Sequence, residues 1–299
     1  MYIIYDDHEH DYPCVDSLID DKILNEYIQN GFWVAPIAFK NGYILRLKKA
    51  QDRIWAEDND SEIPSQYGLP KIKDDLNSIR QLCNGFWIND EIKNLITNPF
   101  LGLIASKLMG VESVQVWHDQ VIYKPGLGCE SESTSGNVGW HQDAGHWKCV
   151  DSSKNMCTAW IALQNINKDI GPLTMIRGSN KWGLLENSDT FGEKNLDQLE
   201  KNFSHQVNEK WIAEHCLLKA GQVSFHHSLT LHGSGPNTTN VPRMSIVIHY
   251  MEKGSKYSKD VDWHPNLVFL GPNAKDGDVF EGEFWPQVWP INGENIDDN

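Results

Sequence analysis

The chain lacks any apolar run approaching the roughly 18 residues that a membrane-spanning helix needs, so a helical membrane protein is excluded. Its cysteines are few and scattered. Cys14, Cys83, Cys129, Cys149, Cys157 and Cys216 form no C-x-x-C pair and no dense framework, which argues against a small disulfide-stapled secreted domain. Positive charge is also short: 26 Lys and Arg face 41 Asp and Glu, for a net charge of -15 and a pI near 5.2. Such a field repels phosphate backbones and anionic lipid, so neither nucleic acid nor a membrane surface is an expected partner. The opening MYIIYDDHEH has no basic stretch ahead of an apolar one, and the closing IDDN is no peroxisomal or retention signal. A reduced, cytoplasmic setting is the expectation. There is no internal repeat and no linker.

What is present in quantity is tryptophan and histidine, 12 of each in 299 residues, a supply that suits an aromatic-lined, ligand-rich pocket. Residues 16–30 place Leu18, Ile19, Ile23, Leu24, Tyr27 and Ile28 on one helical stripe, with Asp16 as N-cap and Gly31 as stop. Further helical patterns cover 43–57, 72–82 and 90–109, the last interrupted at Pro99, so the first third reads as mainly helical. After Gly110 the texture changes to short strand-like runs at 113–124, 157–164, 173–177, 214–218, 222–226 and 243–250, separated by turn residues. The expected fold is mainly β with helices: a double-stranded β-helix, or cupin-like jelly roll, over about 113–250. A helical N-terminal layer over about 16–109 backs it, and 251–299 is a C-terminal lid or loop region, the whole of 1–299 forming one domain. Residues 126–137 and 184–210 read as surface loops, the second partly helical.

The chemistry centres on VGWHQDAGHW, where His141 and Asp143 are one residue apart and so share a face of an extended segment. About ninety residues later LHGSGPN offers His232, which the return of a jelly roll brings back to the first pair. Two histidines and one carboxylate on one face of an octahedron leave three adjacent positions open, as an iron(II) centre that binds a bidentate keto acid and dioxygen requires. A lone His-x-Asp is weak evidence in so histidine-rich a chain. Arg243 adds weight, because it lies in the apolar strand PRMSIVIHY, where an unpaired cation is costly to bury. Its planar fork matches the far carboxylate of 2-oxoglutarate.

The motifs WHQD, TAWIAL, IGPLTMIRGSN and LTLHGSGPNTTNVPR, in this order and at these distances, resemble the phytanoyl-CoA dioxygenase family of iron(II)/2-oxoglutarate oxygenases. The resemblance runs from NGFWV through NPFLGLIASKLMGVESVQVWHDQVIYKPG to about residue 250. It implies iron ligation by His141, Asp143 and His232, and 2-oxoglutarate binding by Arg243 with Ser234, Gln120 and Trp160. The retained Asp143 favours oxygenation over halogenation, since related halogenases carry a small residue there. One departure is Arg177 and Asn180 in MIRGSN, where the family more often reads I-P-G-S-H.

The expected activity is oxidation of an unactivated C–H bond of a small anionic metabolite or natural-product intermediate, by hydroxylation, desaturation or oxidative ring closure, with release of succinate and CO2. Iron(II), 2-oxoglutarate and O2 are the expected cofactors and co-substrates. Candidate substrate contacts are His146 and Trp147 after the metal motif, Arg177, and Arg46 in a basic cluster with Lys48, Lys49 and Arg53. Trp263, Phe280, Phe284, Trp285 and Trp289 are candidates for a lid or for packing under a loop, and His8 and His10 read as an acidic terminus rather than a second metal site. Three other readings stand: an acyl-CoA hydroxylase, a zinc hydrolase on the same triad, and a non-catalytic metal- or ligand-binding jelly roll. Monomer or dimer is left open.

Overall fold

The computed structural model describes residues 3–5, 18–61, 78–128, 134–259, 261 and 263–290. His8, His10, Asp16, Cys14 and Cys129 therefore lie outside the described residues, as does most of the helix expected over 72–82.

The helical layer is built from locally capped segments. Helix α1 (Asp21–Asn30) starts where the Asp20 side chain accepts from the Ile23 amide at 2.8 Å, and stops at Gly31, whose φ of 82° is the left-handed cap. Helix α2 (Asn41–Trp55) follows. The pattern over 90–109 resolves into α3 (Asp90–Ile96), capped by Asn89, and α4 (Pro99–Met109), capped by Asn98 with Pro99 in its first turn. Proline is tolerated there because the first turn has no partner for its missing N–H, so Pro99 starts a helix rather than kinking one.

Among its described residues the first third is less helical than its periodicity suggests. It contributes three strands, β1 (Ile3–Tyr5), β2 (Phe32–Phe39) and β3 (Arg80–Cys83), to the larger sheet. The nearly unbroken apolar run of β2 is that of a strand covered on both faces. Its Pro36 sits where the pairing with the ninth strand shifts register between Val34 and Ala38, where no ladder bond is lost. In β3 the alternation is the deciding pattern: Leu82 is buried in the core, while Gln81 and Cys83 line a cavity on the other face.

The remaining strands are β4 (Val114–Lys124), β5 (Val138–His141), β6 (Cys157–Ala162), β7 (Thr174–Ile176), β8 (Ala213–His215), β9 (Gln222–His227), β10 (His232–Ser234), β11 (Arg243–Glu252) and β12 (Gln287–Trp289). Six of them, β4, β6, β7, β8, β9 and β11, lie close to the runs expected from sequence, whereas β5, β10 and β12 fall outside those runs. The larger sheet runs β1-β2-β9-β6-β11-β4-β12, with β3 also on β4; the smaller runs β5-β10-β7-β8. All pairings except β1 with β2 are antiparallel. This is the two-sheet jelly roll expected, backed by helices.

The two faces of the larger sheet have different tasks. On β11, Ile246, Ile248 and Tyr250 belong to the main core, packed with Leu47 and Ile54 of α2 and Phe100, Leu101 and Ile104 of α4. Each such side chain contributes about 1.5–3 kcal/mol on full burial, so the helix layer clamps the sheet by apolar area alone. The alternate residues Arg243, Val247 and His249 face the space between the sheets.

Segment 184–210 is more than a surface loop. Its helix α6 (Leu196–Ser204) buries Leu199 and Phe203 with Trp140 and Leu231, closing the outer side of β5. The C-terminal segment packs likewise: Phe280 and Trp285 are buried with Trp117, and Phe284 meets Trp87 edge-on at 5.4 Å. Trp263 is 66% exposed and sits at the cavity.

Gly139 is where the α6 segment bears on β5, because a Cβ there would meet the Thr190 carbonyl oxygen at 2.0 Å and that of Glu193 at 2.8 Å. Both are backbone atoms and cannot rotate away. Gly139→Ala is therefore expected to lower the free energy of unfolding by about 1–3 kcal/mol in urea titrations, whereas Gly42→Ala, which meets nothing within 4 Å, is expected to be close to neutral.

Candidate metal and keto-acid site

Strands β5 and β10 pair so that His141 and His232 are direct cross-strand partners. Their rings lie 4.2 Å apart between centroids. Strand β5 ends at His141, and Asp143 opens the short helix α5 (Asp143–His146) rather than continuing the strand. The corner is fixed by Gln142, whose amide donates to the carbonyls of Gly183 and Leu229 and whose oxygen accepts from the Leu185 amide. Asp143 thus reaches the two histidines by a turn, not by sharing a strand face with His141.

The three side chains are buried, and one ligand atom of each lies within 4.8 Å of the others. Asp143 Oδ1 is 3.7 Å from His141 Nε2 and 3.6 Å from His232 Nε2. Both rings donate Nδ1–H to backbone carbonyls, His141 to Gly139 and His232 to Thr230, each at 2.8 Å. That fixes the tautomer: the two Nε2 lone pairs are free and point to the same space as Asp143 Oδ1, an arrangement suited to a metal ion. Burial pushes His232 down to about 4 and His141 well below its usual range, so both rings are neutral and ready to ligate. For Asp143, burial alone would raise the pKa, but His232 and the hydrogen bond from His226 outweigh it and keep the carboxyl well below its ordinary range.

The other carboxylate oxygen is fully occupied. Asp143 Oδ2 accepts from Thr158 Oγ1 at 2.8 Å and from His226 Nε2 at 3.2 Å. The Thr158 hydroxyl has given its proton to Asp143, so it accepts from His249 Nδ1 at 2.9 Å.

These residues line a cavity of about 450 Å³ between the sheets. Arg243 lies at one end. It is 3% exposed, donates to the Gly171 carbonyl, and holds its guanidinium carbon 5.4 Å from the Trp160 ring centroid. Among the described residues its Nε has no hydrogen-bond partner and no carboxylate pairs with it. Burial lowers its pKa to about 10, which leaves it cationic at neutral pH. A buried unpaired guanidinium costs several kcal/mol, which a bound carboxylate would recover. Ser234, Gln120 and Trp160 line the same cavity, Gln120 and Trp160 flanking Val247 on either side in register.

Of the softer candidates, His146 and Trp147 line the cavity, whereas Arg46 and Arg177 do not. Arg46 pairs with Glu91 at 2.9 Å, and Arg177 pairs with Glu214 and Asn30. In the same basic cluster, Arg53 is held by Asp58 and Asp60. Sequence reading passed over His118, Thr158, His226, His249, His264 and Lys124. Lys124 is the register partner of Arg243, fully buried, and donates to Ser234 Oγ and the Gly235 carbonyl. Among the described residues seven histidines line the cavity: His141 and His232, together with His118, His146, His226, His249 and His264.

Comparison with known proteins agrees with this architecture. The phytanoyl-CoA dioxygenase of Homo sapiens is 25% identical over 145 residues, a match that covers 48% of this chain and 41% of that protein. The non-heme alpha ketoglutarate dependent carbocyclase SnoK from nogalamycin biosynthesis superposes with a TM-score of 0.67 at 18% identity, over 91% of this chain and 97% of that one. The epimerase SnoN, solved in complex with Fe3+, alpha ketoglutarate and nogalamycin RO, superposes with a TM-score of 0.64 at 20% identity, over 90% and 98%. The sequence pattern of the phytanoyl-CoA dioxygenase (PhyH) family matches residues 27–245, and with the metal-competent triad and the jelly roll in place, the chain belongs to that family.

Proposed function

We propose that this protein is an iron(II)- and 2-oxoglutarate-dependent oxygenase that oxidises an unactivated C–H bond of a small molecule, with release of succinate and CO2. The observation that carries the reading is the pairing, in one cavity, of a pre-set His-Asp-His donor cluster with a buried arginine that lacks a carboxylate among the described residues. A zinc hydrolase or a plain metal-binding jelly roll would account for the cluster and leave Arg243 unexplained. An acyl-CoA substrate is disfavoured by the cavity, where Arg243 is the sole Lys or Arg among the described residues.

In this reading His141, Asp143 and His232 hold the metal through Nε2, Oδ1 and Nε2. Arg243 takes the far carboxylate of 2-oxoglutarate, Ser234 stands beside it, and Gln120 and Trp160 flank the chain between the two ends. Bound iron would supply the activation of dioxygen that couples decarboxylation of the keto acid to substrate oxidation. The protein supplies placement and dryness: Val138, Leu173, Phe191 and Val247 wall the cavity with apolar surface that excludes competing water. Thr158 and His226 keep Asp143 Oδ2 occupied, so that Oδ1 alone is presented, and they hold the carboxylate in one orientation. Whether hydrogen abstraction ends in an alcohol, an alkene or a new ring depends on how the substrate is placed beside the metal.

The test is succinate release from 2-oxoglutarate with iron(II) and oxygen, run first without substrate and then with candidate small molecules. Turnover is expected in wild type and none in Asp143→Ala; tight zinc binding with no turnover under any condition would overturn the reading. Arg243→Ala is expected to raise the 2-oxoglutarate requirement by about 10²-fold or more while changing iron affinity little, as steady-state kinetics and metal titration would separate. Thr158→Val, which removes one of the two donors to Asp143 Oδ2, is expected to weaken metal binding by about 10–100-fold in anaerobic calorimetry without changing the stoichiometry.

A further inference from the structure

The end of the cavity remote from Arg243 has its own chemistry. Along β11, Arg243 and His249 are six residues apart on one face, a separation of roughly 20 Å at strand rise. His249 sits in the rung formed with His118 on β4 and Thr158 on β6. The His118 and His249 rings are 4.4 Å apart, both are 2% exposed, and both line the cavity.

Their hydrogen bonds fix both tautomers. His118 Nδ1 faces the Asp119 carbonyl oxygen at 3.3 Å, and a carbonyl can only accept, so Nδ1 carries the proton. His249 Nδ1 must donate to Thr158 Oγ1, because that hydroxyl's single proton is committed to Asp143. A buried imidazole favours its neutral form, with one N–H. His118 Nε2 and His249 Nε2 are therefore both unprotonated acceptors, and neither has a hydrogen-bond partner among the described residues. Two adjacent buried acceptors call for a group with at least two donors. Trp147 walls this corner, 5.7 Å from His118 and 4.5 Å from His249 between ring centroids, and exposed Asp189 lies on the cavity lining close enough for its charge to act on His146.

We propose that this half of the cavity binds the substrate through a protonated primary amine, held by the Nε2 atoms of His118 and His249. The inference rests on the oxygenase reading for its meaning but not for its measurement. It replaces the anionic substrate expected from sequence: once Arg243 is given to the keto acid, the described lining offers no Lys or Arg to a substrate anion, and Arg46 and Arg177 are paired elsewhere. The net charge of -15 steers a cation inward and repels an anion. His264 adds one donor to this corner, since its Nδ1 accepts from the Asn266 amide, leaving Nε2–H for an acceptor elsewhere on the same substrate.

The test uses full-length protein loaded with nickel(II), titrated calorimetrically with three probes sharing one body: cyclohexylmethylamine, its N,N,N-trimethyl quaternary analogue and cyclohexylmethanol. The primary amine is expected to bind about tenfold or more tighter than each of the others, the quaternary analogue losing affinity because it has charge but no N–H. His118→Leu is expected to abolish the preference and His118→Gln, which restores an acceptor, to recover part of it, with near-ultraviolet circular dichroism and nickel stoichiometry confirming folded protein. Alcohol or quaternary-ammonium binding equal to the amine, an amine preference intact in His118→Leu, or no binding by any probe would each overturn the proposal. Titration with 2-oxoglutarate alone is the separate arm: its failure to bind would count against the oxygenase reading, while the probe preference is read without it.

Discussion

The structure turns on one buried carboxylate. Asp143 is held ionised in a place where burial alone would neutralise it, and it stays so because its two oxygens are divided between two sets of partners. Oδ2 is tied to Thr158 on β6 and His226 on β9, in the larger sheet. Oδ1 faces His141 on β5 and His232 on β10, in the smaller one. A buried charge with partners from both sheets fixes their separation and leaves a single direction open, toward the two free Nε2 lone pairs. The electrostatic need of one side chain and the assembly of the jelly roll are the same constraint.

The cavity inherits its order from strand register. Of the rungs that cross β4, β11 and β6 or its continuation, three carry the polar groups of the site: Lys124 with Arg243, Gln120 with Val247 and Trp160, and His118 with His249 and Thr158. Cationic groups gather at the first rung and imidazole acceptors at the third. The opposite faces of the same strands carry Val121, Ile246, Ile248 and Ile161 into the core under α2 and α4. One alternation therefore fills the core and sorts the cavity by charge, so a register slip would destroy both.

Much of this was legible in the sequence, and the limits have physical reasons. His141, Asp143, His232 and Arg243 stood out because a metal-ligand set and a lone arginine in an apolar strand are unusual locally. Thr158, His118, His249 and Lys124 did not stand out, yet each lies on a strand that already carried a named residue and is an even number of places from it: Trp160, Gln120 or Arg243. The period of two along each strand places them on the same face as those named positions. What sequence could not supply was the partner of each cation. Arg46 and Arg177 are candidate substrate contacts by sequence, and their partners Glu91 and Glu214 lie 45 and 37 residues away in the chain. In the helical third, β3 was too short for its alternation to compete with a helical pattern, and β2, apolar nearly throughout, has no period to read.

The central claim is that the triad and Arg243 together form a site for a metal-chelating keto acid. The most direct measurement is the visible absorption spectrum under anaerobic conditions as iron(II) and then 2-oxoglutarate are added. A charge-transfer band is predicted only when both are present, absent with succinate, which has the same far carboxylate but no keto group to chelate. Iron bound at the triad with no band on saturation by 2-oxoglutarate would contradict the account.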